Sequence, residues 1–316
     1  MYDSSLEKSA ECPCCAASSA LYLVSKDRNR RLSDEEFSYY RCINCGLVFI
    51  DPVPIDIERF YEGGYQQIPK SLGELRAIAA KERYRLKPVM EKAGGALLEI
   101  GPWIGVFSIN AKDAGFDVDA IEMSADACKF LSETVGINVT NTKDPVTALR
   151  ASKLYDVIAL WHSLEHLPEP WAVLEAASKR LKPGGILLVA IPNIGGYQAQ
   201  ALGARWWHLD APRHLYFWPP HDLARLVNRF GLQTMSLDTQ DELSSVLSRG
   251  AWENFFRSLV RVRIVRGVVA KLLAPIATLF SQRRGRGAGV TATFRAPPTS
   301  AISIAPPTNC GSKHGA

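Results

Sequence analysis

The sequence predicts an α/β protein, a doubly wound, seven-stranded, mostly parallel sheet preceded by a small cysteine-rich module. Three observations predict it. From Ala96 onward, short apolar runs alternate with amphipathic segments of helical period. The run Leu97-Leu98-Glu99-Ile100-Gly101-Pro102-Trp103-Ile104-Gly105 reads as a strand, a glycine turn and the start of a helix. Five of the seven cysteines fall within the first fifty residues.

With 316 residues, 47% of them hydrophobic and 22% charged, the chain can bury a large core. The net charge of +5 is mild and implies no strongly basic partner surface. Met1 to Ala10 has no apolar export segment, and no apolar run is long enough to span a bilayer. A cytoplasmic location is therefore expected, where clustered cysteines bind metal rather than form disulfides.

The elements follow in order. Residues 1–60 form the cysteine-rich module, which ends at Asp51-Pro52-Val53-Pro54. Residues 61–93 carry Tyr61, Tyr65 and a helix predicted over Leu72 to Lys92. Residues 94–240 with 287–296 form the core, with strands at 96–100, 117–121, 137–140, 156–161, 186–191, 232–237 and 289–295. Helices are predicted between them at 106–114, 125–135, 146–152 and 171–181. A helical insertion at 241–286 precedes the last strand, and a tail at 297–316, rich in Pro, Ser, Thr and Gly, is expected to be disordered.

Gly101 permits a tight turn and the following helix N-terminus offers free N–H groups, a general nucleotide cradle. The strand Val118-Asp119-Ala120-Ile121-Glu122 ends in an acid about twenty residues later, the spacing at which a carboxylate meets ribose hydroxyls. That arrangement fits a nicotinamide cofactor as well as S-adenosylmethionine. Trp103 at the middle glycine position argues against a dinucleotide, whose pyrophosphate needs close backbone approach.

The strand Tyr155–Trp161, the string His162-Ser163-Leu164-Glu165-His166-Leu167-Pro168-Glu169-Pro170, Leu181-Lys182-Pro183-Gly184-Gly185 and Ile191-Pro192-Asn193 together resemble class I methyltransferases with a Rossmann-like core, in the branch of the ubiquinone-biosynthesis O-methyltransferases. The resemblance covers roughly Gly94 to Gln240 plus the last strand. It implies that Glu99, Gly101 and Gly105 hold the methionine part of S-adenosylmethionine, that Glu122 holds the ribose and that Trp161 adds a donor contact. Pro102-Trp103 and Thr142-Lys143 depart from the family pattern. The first is expected to reshape the pocket, and the second leaves Asp144 as the candidate adenine contact.

Methyl transfer requires positioning of the reactants and, for a hydroxyl acceptor, removal of a proton, which suits histidine. His162, Glu165 and His166 follow the fourth strand at the carboxyl edge of the sheet. Their H-x-x-E-H spacing matches a zinc-peptidase signature, but Pro168 and Pro170 deny it the continuous helix that signature needs. In the resembled quinone O-methyltransferases the matching E-x-x-E-H segment implies a divalent-metal site. His162 in place of the first acid makes this a poorer hard-cation set. The alternative is that Glu165 and His166 brace the loop. Residues Arg205 to Phe217 match the family's acceptor lid, with His214 the candidate substrate contact. The candidate catalytic residues are therefore His166, His214 and His162. Trp161-His162-Ser163-Leu164 stands where DNA-base N-methyltransferases carry an Asn/Asp-Pro-Pro-aromatic tetrad, so DNA is not the expected substrate.

Cys12-x-x-Cys15 and Cys42-x-x-Cys45 are two knuckles suited to a structural zinc, with Cys14 as the spare thiol or an alternative partner of Cys12. The pattern resembles zinc ribbons that precede methyltransferase cores, including those of some sugar C-methyltransferases. In the insertion, Arg249, Arg257, Arg261, Arg263, Arg266, Lys271, Arg283, Arg284 and Arg286 stand against Glu253 alone, interleaved with apolar residues. Such a helix either packs on the core or a partner copy, or lies through residues 255–280 on an anionic membrane surface at the inner face. The expected activity is methylation by S-adenosylmethionine, at oxygen, of a small or lipid-linked biosynthetic intermediate. The alternatives are sugar C-methylation and a degenerate fold acting as a scaffold.

Overall fold

The computed structural model describes residues 9–61, 67–259, 263–283 and 285–298, with backbone alone at 263–265. The expectations placed on Tyr65, Arg261, Arg284 and positions 299–316 lie outside the described residues.

The core strands are β5 (Ala96–Ile100), β6 (Asp117–Glu122), β7 (Asn138–Asn141), β8 (Tyr155–Trp161), β9 (Leu181–Pro192), β11 (Gln233–Asp238) and β12 (Gly289–Arg295). They form the expected seven-stranded sheet, in the order β11-β12-β9-β8-β5-β6-β7. All pairings from β9 to β7 are parallel, whereas β12 runs antiparallel to both β9 and β11. Parallel strands are covered on both faces, hence their near-continuous apolar composition. Alternation along each strand sends Leu97, Val157, Ala159 and Trp161 to one core, and Leu98, Ile158 and Leu160 to the other.

The helices are α1 (Leu72–Ala79), α2 (Val106–Asp113), α3 (Ala125–Phe130), α4 (Pro145–Ala151), α5 (Pro170–Ser178), α6 (Tyr197–Leu202), α7 (Pro220–Arg229), α8 (Glu242–Leu259) and α9 (Arg263–Ser281). Local chemistry fixes their starts. Ser124 Oγ accepts from Ala127 N at 3.3 Å to cap α3, and Asp144 caps α4 through Thr147 N at 3.0 Å. Asp144, the candidate adenine contact, is thus held as a helix cap. The helix predicted over 72–92 ends at Ala79 and continues as 3-10 turns over 80–92. Glu82 leaves helical geometry at φ −120°, and Pro88 supplies no N–H to a helical ladder.

The N-terminal strands β1 (Ser9–Glu11), β2 (Ser18–Lys26), β3 (Glu36–Cys42) and β4 (Val48–Ile50) form an antiparallel sheet. Its fifth strand is β10 (Tyr216–Phe217), which comes from the core segment after α6 and pairs with β4. The module's Tyr39, Phe49 and Ile50 accordingly share one apolar cluster with Leu160, Phe217 and Trp218.

The chain leaves β5 toward β6 and β7, then returns to place β8 on the other side of β5. This reversal opens a crevice at the carboxyl ends of β5 and β8, where open α/β sheets bind ligands. Asp156 ties the opposite edge together: its Oδ2 accepts from Ala96 N at 2.8 Å and Lys182 Nζ at 2.6 Å. Asp156→Ala is expected to cost about 1–3 kcal/mol by stranding these donors. Thermal unfolding should fall by several degrees, with S-adenosylhomocysteine affinity unchanged in calorimetry.

Candidate active site

The glycine turn at the end of β5, the candidate donor turn, lies in this crevice. Gly101 has φ +72°, and a Cβ there would lie 2.6 Å from Ser163 Cβ. Gly105 has φ +79° and precedes α2, and its added Cβ would meet Leu131 Cδ2 at 2.5 Å. Both positions therefore demand glycine for backbone and for packing. Glu122 is buried at the end of β6, its Oε2 accepting from Trp103 N at 3.0 Å and its Oε1 from Ser124 N at 2.8 Å. Two of the roughly four acceptor positions of that carboxylate are thereby used. Trp103, the residue at the middle glycine position, takes a left-handed φ of +50° and so aims its own N–H at Glu122. Glu99 is buried below the turn beside Ser108, which donates to its Oε2, and burial pushes its carboxyl up to about 7.

Trp161 ends β8. Its ring packs 5.6 Å from Phe107 and 5.1 Å from the Arg85 guanidinium. It lines a cavity of about 560 Å³ between the 80–92 segment and β11–β12, together with Tyr84, Ser236, Asp241, Thr291 and Thr293.

The turn after β8 brings the histidines together. Ser163 Oγ donates to Ile100 O at 2.7 Å, so the residue after His162 presses on the donor turn. His162 has φ +51°, and its Nδ1 lies 3.3 Å from Glu165 Oε1. That contact directs Nδ1–H to the carboxylate and leaves Nε2 as the acceptor. His162 Nε2 and Glu165 Oε2 are both buried without a hydrogen-bond partner. Glu165 is fully buried, which raises its pKa, yet the His162 hydrogen bond and the neighbouring histidines hold it down at about 2.

His166 and His214 stack edge to face with ring centres 4.6 Å apart. His166 Nδ1 lies 3.1 Å from Arg213 O and 3.0 Å from Tyr61 Oη. His214 Nδ1 lies 2.9 Å from His208 O. One ligand atom each from Glu165, His166 and His214 falls within 4.8 Å of the others, a set able to hold a cation. Desolvation and its histidine neighbour push His166 down to about 4, and desolvation does the same to His208. Burial also lowers His214.

The N-terminal module grips the segment after α6 that carries His208 and His214. Asn29 Nδ2 donates to Asp210 Oδ1 at 2.6 Å and to Trp207 O at 2.8 Å. Arg28 Nε donates to Ala204 O at 3.1 Å, and the buried Tyr39 Oη to His214 O at 3.0 Å. Asp210 takes two hydrogen bonds from Arg213 Nη2, at 2.5 and 2.6 Å, both side chains being buried. Asn29, Tyr39 and Asp210 were missed in the sequence, because contacts some 175 to 181 positions apart leave no local signature.

The four expected cysteines converge. Cys12 Sγ lies 3.6 Å from Cys45 Sγ, and Cys15 Sγ lies 3.5 Å from Cys42 Sγ, all four within 4.8 Å. These separations are near the roughly 3.8 Å edge of a tetrahedron with 2.3 Å metal–sulfur bonds, and far beyond a disulfide. Asn44 N and Cys45 N both point at Cys42 Sγ from 3.4 Å. The Cys12 thiol beside it holds the Cys45 thiol well below its ordinary range. Cys14 is buried outside this set of four.

A seven-stranded sheet with an antiparallel penultimate strand, and a glycine turn beside the acidic end of the adjacent strand at its carboxyl edge, define a class I S-adenosylmethionine-dependent methyltransferase. Residues 72–237 match a family described as a methyltransferase domain, and the chain belongs to that family. Curated relatives include the ubiquinone biosynthesis O-methyltransferase of Cupriavidus pinatubonensis, 28% identical over 185 residues, 54% of this chain and 74% of that one. The Xanthomonas axonopodis enzyme of the same name is 29% identical over 175 residues, 51% of this chain and 73% of its own. Among solved structures, the methyltransferase of Haloferax volcanii in complex with its Trm112 activator superposes with a TM-score of 0.50 at 14% identity, covering 72% of this chain and 95% of that one.

In the unfolded chain imidazole titrates near 6.5, whereas folded His166 and His208 stay neutral down to about 4. Between those values the unfolded state binds protons that the folded state refuses, so stability should fall as pH drops from about 6.5 toward 4. Glu165, held at about 2, adds a further loss as pH falls from 4.5 toward 2. Denaturant midpoints at pH 7.5 and 5 should differ accordingly, and His208→Gln should flatten the difference; equal midpoints in the wild type would contradict neutral imidazoles.

Proposed function

We propose that the protein methylates a hydroxyl of a small acceptor, with His162 as the general base. One observation carries this reading: His162, oriented by Glu165, stands directly beside the donor turn that Ser163 touches. When bound, S-adenosylmethionine supplies an electrophilic methyl group. Glu122 would accept from the ribose hydroxyls through its unused lone pairs, and Gly101 and Gly105 would let the backbone approach the methionine end. Glu165 holds His162 in the tautomer whose Nε2 takes the acceptor proton as oxygen attacks the methyl. S-adenosylhomocysteine and the methyl ether then leave, and the proton passes from His162 to solvent. The quinone O-methyltransferase relatives support oxygen as the methylated atom.

Calorimetry with S-adenosylhomocysteine, then methylation assays on catechols and quinols, test the reading. His162→Gln should lower kcat about 10²–10⁴-fold with donor affinity unchanged. Full activity in that variant would remove His162 from the mechanism, and no donor binding by the wild type would sink the enzyme reading.

Cys12, Cys15, Cys42 and Cys45 fit a structural zinc, which would hold β1, the β3–β4 turn and through them the lid. Metal analysis should find about one zinc per chain. Chelation should lower thermal stability and weaken acceptor use more than donor binding; a metal-free protein after gentle purification would overturn the assignment.

A further inference from the structure

Helices α8 and α9 pair antiparallel beside the sheet, with Trp252 Nε1 donating to Ser281 Oγ at 2.7 Å and Gln282 Nε2 to Ser245 Oγ. The sequence left open whether the apolar side of this insertion packs inward. It does not. Among the described side chains of α9, those buried against the protein are Ala270, Ala274, Thr278 and Ser281, all small. The large apolar side chains Val268, Leu272, Leu273, Ile276, Leu279 and Phe280 face outward, with Leu272 65% and Leu279 81% exposed. At about 100° per residue these six occupy a single arc of roughly 140°. Arg266 and Lys271, both exposed, border that arc on its two sides. An ordinary helix of a globular protein has the reverse arrangement.

We propose that this hairpin docks on an anionic lipid surface, with α9 lying in the plane of the interface. A bare apolar face bordered by cations is the signature of an interfacial helix, whose large side chains enter the acyl boundary while lysine and arginine meet lipid phosphates. No described helix is long and apolar enough to cross a membrane, in keeping with a helix that lies on one. The charge balance selects lipid over a second copy of this chain. Glu253 is shared between Arg249 and Arg257, while Arg266, Lys271, Arg283 and Arg286 add further positive charge around the hairpin. Two such faces in contact would bring cations together, whereas anionic headgroups neutralise them. The hairpin also reaches the candidate site: Leu247 O lies 2.9 Å from His208 Nε2, and Gln198 Nε2 donates to Ser248 O at 2.6 Å. Docking would therefore hold the lid near the lipid surface, within reach of a lipophilic acceptor.

The proposal is independent of the reaction chemistry and is tested by sedimenting the full-length protein with vesicles. Binding to phosphatidylglycerol-containing vesicles should exceed that to pure phosphatidylcholine at least tenfold at about 50 mM salt and weaken at about 500 mM. The double variant Leu272→Glu/Leu279→Glu should lose binding at least tenfold, because both positions are exposed. Its circular dichroism and S-adenosylhomocysteine affinity should match the wild type, separating lost docking from lost folding. Arg266→Gln/Lys271→Gln should reduce the preference for anionic lipid with the apolar arc intact. Failure of the wild type to sediment with anionic vesicles, or equal binding by the double glutamate variant, would overturn the proposal. So would a wild-type dimer that the glutamate variant dissolves, since the face would then lie between copies.

Discussion

Asp210 is the buried charge on which the joining of the two sheets depends. Its carboxylate takes both hydrogen bonds from Arg213 and one from Asn29 of the N-terminal module. Its backbone carbonyl accepts from Arg213 N and His214 N. A buried ion pair is a poor source of net stability, because desolvation offsets the attraction, but removing one partner strands the other at about 3–5 kcal/mol. The arrangement therefore fixes a geometry. With Asp210 held, the backbone around it presents His214 to His166, Arg213 O to Tyr61 and His166, and Tyr216–Phe217 to β4 as the module's last strand.

The donor turn rests on a different constraint, the lack of space where β5 and β8 end. Ser163 fills the volume a side chain at Gly101 would need, and Leu131 does the same at Gly105. The same close packing carries His162 to the crevice, since Ser163 cannot touch Gly101 without placing its neighbour there. Trp103 shows how a departure from the family pattern is absorbed. It takes a left-handed backbone, a strain of order 1 kcal/mol or more, and its amide bonds to Glu122. The acidic strand end is thus oriented by the turn it faces.

The sheet was legible in the sequence because parallel strands buried on both faces leave apolar runs that helical segments cannot imitate. Ala96–Ile100 and Gly289–Arg295 emerge with the expected limits, and the caps at Ser124 and Asp144 follow from local chemistry. The helix over 72–92 was misread past Ala79, since apolar spacing does not distinguish an α-helix from 3-10 turns laid on a core. The pairing of the cysteine knuckles was equally readable, because ligand spacing is a local property.

The sequence alone thus determined the fold class, the glycine turn beside an acidic strand end, and the four convergent thiols, all written in residues close along the chain or in strand periodicity. Tertiary structure decided the rest. It set His162 beside Glu165, placed Trp161 on a cavity wall, made Asn29 and Tyr39 partners of the segment after α6, and turned the described large side chains of α9 outward. Each of these depends on which distant surface fills the space next to a residue. That is settled by packing and by the desolvation of buried charge, which no local pattern encodes.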